Sequence, residues 1–225
     1  MFYVFLLTHL VADFILQPYW LVRRKRHWDG LAIHGLIVLG CMLALGLVGV
    51  SVARLWPLML AIAAIHVAAD WWKVHRADRL FGPPILPFLL DQLIHIGTLV
   101  VALVVALPAT VVWGRNMPGA TLALYAAGYI VAGCAVPIGV MVWLDPRFAH
   151  AALAPGARLR ALGEATVLLA LVLMAGALAL PATLLGLVVV LRRPASAHPL
   201  DSPRGVLAVL CGTALVAAAL RLVVR

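Results

Sequence analysis

The chain has 225 residues, 65% of them hydrophobic and 11% charged, with a mean hydropathy of +1.11 and a formal charge of +9. That composition excludes the surface of a soluble domain and accommodates about seven spans of roughly 20 residues with short connectors. The expected fold is all-α: one polytopic transmembrane helix bundle, a single integral membrane domain over 1–225 with a four-helix half at 1–107 and a three-helix half at 120–225.

Apolar runs between breakers predict spans at 1–22, 31–50, 55–72, 86–107, 120–143, 165–191 and 206–222. The first lacks a basic leading region and a small-residue cleavage site, so it is expected to remain as a span and not to be removed as a signal peptide. Within it, "THLVADFILQ" sets His9, Asp13 and Gln17 four residues apart, on one helical face. The run "VRRKRHWDG" that follows is read as a juxtamembrane stretch that sets orientation and touches anionic headgroups. His34 opens the second span, the third carries His66-x3-Asp70 followed by Lys73, and the fourth carries Asp91-x3-His95, the reverse order, with Gln92 beside the carboxylate.

Spans five to seven hold no counterpart of these pairs. Glu164 opens the sixth, where a carboxylate complements the helix dipole, and Asp145, His150 and His198 fall in loops. Cys41, Cys134 and Cys211 are far apart in apolar stretches and read as small core residues, neither a disulfide framework nor a thiolate metal site. Trp20, Trp28, Trp56, Trp71, Trp72, Trp113 and Trp143 lie near span ends, as an interfacial belt does.

Twelve of the 17 basic residues fall on one set of span ends, which predicts an outside N-terminus and a cytoplasmic C-terminus. In that topology spans one and three run inward and span four outward, so in all three pairs the histidine lies deeper and the aspartate one turn nearer the cytoplasm. Asp13, His66, Asp91 and His95 then fall roughly 7 to 14 Å deep at 1.5 Å per residue, and the pairs can converge in one leaflet.

Residues at i and i+4 share a helix face, and imidazole with carboxylate suits Zn, Mn, Fe or Ni. A divalent ion, Zn first among these, would also offset the cost of burying the carboxylates. The candidate ligands are His9, Asp13, His66, Asp70, Asp91 and His95, with His34, Gln17, Gln92 and Lys73 as candidate catalytic or substrate-holding groups. No Gly-rich phosphate loop, HExxH or GxSxG is present.

"HLVADFILQ", "HVAADWWK" and "FLLDQLIH" closely resemble the HxxxDFxLQ, HxxxDxxK and DQxxH signatures of a bacterial membrane family known as domain of unknown function 3307. The resemblance covers roughly residues 5 to 97 and carries onto the ten residues just named; "LGEATVLLAL" and "CGTAL" are similar, more weakly, to later segments of the family. It implies a multi-pass protein of the bacterial cytoplasmic (inner) membrane with an intramembrane polar site, and supplies no reaction.

Three function classes follow: an intramembrane metal-dependent hydrolase or lyase acting on an amphiphilic or lipid substrate, an ion- or proton-coupled transporter using the same residues as a pathway, and a structural or regulatory membrane partner. The absence of an inverted repeat weighs against the transporter, and the hydrolase is the leading expectation. Membrane lipid and an amphiphilic substrate are the expected partners; a homo-oligomer is left open, and no nucleic acid is expected.

Overall fold

The structure, a computed structural model, describes residues 1–77, 80–114, 119–145, 162–169 and 198–224, and these are helical with no strand among them. They fall into two compact units, Met1–Ala127 and Gly128–Arg225.

The first unit begins with α1 (Phe2–Leu10), which widens into a π-helical turn at Val11–Ile15. The chain then breaks. Pro18 adopts an extended conformation at the N-cap of the short α2 (Tyr19–Arg24), and without an N–H it cannot extend the hydrogen-bond ladder of the helix before it. The expected first span at 1–22 is therefore two helices, the longer of them Phe2–Ile15. At 1.5 Å per residue that piece covers about 21 Å, less than the roughly 30 Å of hydrocarbon.

Next come α3 (Trp28–Leu43), running on as a tighter 3₁₀ turn to Val48, α4 (Val52–Trp72), running on as a π-helical turn to Ala77, and α5 (Ile85–Ala106). Gly49 sits in the left-handed region at φ +86° between α3 and α4, where a side chain would be strained. A short α6 (Ala109–Trp113) follows.

Packing closes a ring: α3 against α4, α4 against α5, and α1 against both α3 and α5. Phe5, Val38, Met42, Met59, Ile62, Leu99 and Leu103 fill its core. The α3–α4 seam is tight at Gly35, where a Cβ would come within 2.5 Å of a Val67 methyl.

α7 (Ala120–Ile130) continues through a π-helical turn at Val131–Ala135 into α8 (Val136–Leu144). In the second unit α9 (Pro203–Val224) packs against α8 around Val140, Met141, Leu200 and Val209. Small residues again permit close approach: a Cβ on Gly212 would press on Val136, and one on Gly128 on Leu220.

Among the described residues, five helices are long and apolar enough to cross a membrane: Trp28–Val48, Val52–Ala77, Ile85–Ala106, Ala120–Leu144 and Pro203–Val224. They match the expected second, third, fourth, fifth and seventh spans. Of the expected sixth, at 165–191, residues 165–169 belong to a helical stretch that begins at 162, and the rest lies outside the described residues, as does His150. None of the three cysteines is in a disulfide, and only Cys134 is buried. Cys41 is half-buried and Cys211 faces outward, which corrects the expectation that all three are core residues. Trp20, Trp28, Trp56, Trp113 and Trp143 are exposed, as an interfacial belt requires.

Candidate functional site

Four histidines and three aspartates from α1, α3, α4 and α5 meet inside the ring of the first unit. His9, His34, His66, Asp70, Asp91 and His95 are buried, and the Asp13 side chain is 7% exposed. The i, i+4 spacing does what helical geometry requires: His66 Nε2 lies 3.5 Å from Asp70 Oδ2, His95 Nε2 3.4 Å from Asp91 Oδ1 and His9 Nδ1 3.9 Å from Asp13 Oδ1. Asp13 sits in the π-helical turn that ends α1, an irregularity often found at functional sites.

The imidazoles form a stack. Ring centroids of His66 and His95 are 3.8 Å apart and nearly parallel, and His9 stands edge-on to both at 5.5 and 5.2 Å. His34 joins from α3, its Nε2 only 3.0 Å from His66 Nε2. Two nitrogens of the same kind at that distance need a shared proton or a cation between them.

Around this contact lie two triangles of potential ligand atoms. Asp13 Oδ1 is 3.3 Å from His34 Nε2 and 3.4 Å from His66 Nε2, while Asp70 Oδ2 is 3.4 and 3.5 Å from the same two nitrogens. Ligands held at about 2.0–2.2 Å in tetrahedral geometry stand about 3.3–3.6 Å from one another, so two edges of either triangle have the length of an edge of such a site, and the third, the shared 3.0 Å contact of His34 with His66, is shorter. Asp70, Asp91 and His95 make a third grouping, and His9, Asp13 and His66 a fourth.

Charge compensation is uneven. Lys25 Nζ donates to Asp70 Oδ2 at 2.7 Å and to Gln17 Oε1 at 2.9 Å. Lys73 Nζ donates to Asp91 Oδ2 at 2.8 Å, and Gln92 Nε2 donates to the same oxygen at 3.1 Å. Asp13 has no ammonium partner. Its Oδ1 is buried without a hydrogen bond, as are Asp91 Oδ1, His9 Nε2 and His95 Nε2, and orphaned polar atoms at that depth are costly. A cavity of about 10 Å³, room for one water molecule, lies where His9, His66 and His95 meet Phe5, Thr8 and Thr98.

The structure thus brings together all ten residues singled out from the sequence, and Gln17, Gln92 and Lys73 stand at the edge of the cluster, bonded to its charged members. Lys25 is the residue that sequence reasoning missed. It belongs to the basic run read as an orientation signal, yet its side chain is 6% exposed and turned inward. Gly30 was the available clue: a Cβ there would collide with the backbone carbonyl of Arg24, so the turn between α2 and α3 closes tightly enough to carry Lys25 over the site. Arg24, by contrast, pairs with Asp29 on the outside.

No curated protein and no solved structure matches the chain. One family profile does, over residues 1–118, a stretch that contains the whole polar cluster together with Lys25. The chain therefore belongs to the family described as Protein of unknown function (DUF3307).

Proposed function

We propose that the cluster is a divalent metal centre, zinc being the first candidate, and that the protein is a metal-dependent intramembrane hydrolase or lyase acting on an amphiphilic substrate. One observation carries the reading: the Asp13 carboxylate, buried without a lysine partner, faces the Nε2 atoms of His34 and His66 at ligand-to-ligand spacing. An isolated buried carboxylate costs several kcal/mol after relaxation, and a divalent ion is the counter-charge that imidazole and carboxylate together select.

The residues fit such an ion. His34, His66 and either Asp13 or Asp70 supply three donors, which leaves a coordination position open, the arrangement of catalytic sites as opposed to closed structural ones. When bound, the ion would polarise a carbonyl or phosphoryl oxygen and lower the pKa of water. His34 is then a ligand, a different role from the catalytic one its sequence position suggested. Gln92 and Lys73 fix the Asp91 carboxylate, and Lys25 with Gln17 fixes Asp70, so both carboxylates are oriented from outside the cluster. His9 and His95, with unbonded Nε2 atoms, stand ready to accept or pass a proton.

The positive-inside count supports placing the site in the cytoplasmic leaflet of a bacterial inner membrane, where a substrate could keep its head at the interface. The test is turnover of an amphiphilic ester or phosphate by purified protein, lost on chelation and restored by zinc. Ion-gradient-driven uptake into proteoliposomes by fully folded, metal-free protein would overturn the enzyme reading in favour of transport.

A further inference from the structure

The geometry points to an anionic group, phosphate or carboxylate, as what the site receives, with Lys73 as the residue that meets it. The inference rests on the metal reading above and adds the chemical class of the substrate.

Charge is the first argument. With neutral imidazoles, Asp13, Asp70 and Asp91 against Lys25 and Lys73 leave the cluster one negative charge, and a divalent ion turns that into one positive charge. In a low-dielectric interior an uncompensated unit charge is expensive, so the loaded site favours an anion over a neutral head.

Donor capacity is the second. An ammonium carries three N–H groups. Lys25 uses two, on Asp70 and Gln17, and is almost fully enclosed. Lys73 uses one, on Asp91, and its side chain is 25% exposed, the open one of the two cations. Its Nζ also stands 5.6 Å from the centre of the Phe88 ring, which holds the charge at the edge of the cluster. Lys73 lies in the π-helical turn after α4, so its stem leaves the helix at an irregular point.

The test uses the full-length protein in detergent micelles, loaded with zinc or stripped by chelator, and titrated with dioleoyl phosphatidic acid, the matching diacylglycerol and inorganic phosphate. Phosphatidic acid is expected to bind the zinc-loaded protein at least about tenfold more tightly than the diacylglycerol, with the preference lost in stripped protein. Tighter binding of phosphatidic acid than of inorganic phosphate assigns the anion to a lipid head. Equal binding of the two supports the anion site and assigns it to phosphate as such.

Lys73→Gln should retain zinc and lose the preference, and Lys73→Arg should keep both. If Lys73→Gln fails to fold, the wild-type comparison of phosphatidic acid with diacylglycerol decides alone. Zinc bound with no preference between the two lipids refutes this inference and leaves the metal centre standing. Failure to bind zinc under any condition refutes the metal centre itself.

Discussion

Replacing Lys25 with methionine tests how the cluster is balanced, because it removes a charge while keeping most of the side-chain volume. Lys25 Nζ and Asp70 Oδ2 are 2.7 Å apart with side chains 6% and 3% exposed, so the carboxylate left behind would be buried without its partner. Breaking a buried pair from one side costs about 3–5 kcal/mol, whereas removing both charges together is often close to neutral. Lys25→Met should therefore destabilise metal-free protein by about 3 kcal/mol or more, and Lys25→Met with Asp70→Asn should recover most of that loss. The assay is denaturant or thermal unfolding in micelles, run as a double-mutant cycle with and without excess zinc. Zinc at a hundred times its dissociation constant stabilises wild type by about 2.7 kcal/mol, and it should stabilise Lys25→Met by more, because the ion replaces the missing charge beside Asp70. Equal destabilisation of the single and double variants, or a zinc effect identical in wild type and Lys25→Met, would refute this account of the balance.

Other consequences are as direct. His66 touches both triangles and the imidazole stack, so His66→Ala should abolish zinc retention, measured by mass spectrometry, while the protein stays in the membrane; Glu164→Gln should retain it. Gly30→Ala should lower stability and weaken zinc binding together, since a Cβ against the Arg24 carbonyl displaces the turn that carries Lys25; a variant with wild-type unfolding and zinc affinity would count against that role. Single cysteines placed at 23–30, 73–85 and 144–163 should resist an impermeant thiol reagent in intact cells, because these connectors hold ten of the 17 basic residues. Labelling from outside would reverse the orientation and leave the cluster unchanged.

Much of the site was legible because helical geometry is rigid. Once His9/Asp13, His66/Asp70 and Asp91/His95 are spaced by four, each pair must share a face, and three such faces in adjacent apolar helices have one low-cost solution, which is to face each other. His34 followed from its depth alone. Lys25 did not, because a lysine in a basic run carries the same local signal whether its stem points to headgroups or inward, and only the tight turn at Gly30 separates the two. The break after Ile15 was likewise written as Pro18 but was outweighed by the apolar run around it. Distances such as the 3.0 Å approach of His34 to His66 depend on packing across α3 and α4, which no single-helix pattern specifies.

X-ray absorption on zinc-loaded protein tests the central claim most directly, because it reports the ion and its ligands together. A centre built from His34, His66 and an aspartate predicts a shell of nitrogen and oxygen donors at about 2.0–2.1 Å without sulfur, with imidazole scattering that weakens in His66→Ala. Protein that takes up no zinc while folded, or zinc with a sulfur shell near about 2.3 Å, would contradict a metal centre made from these histidines and aspartates.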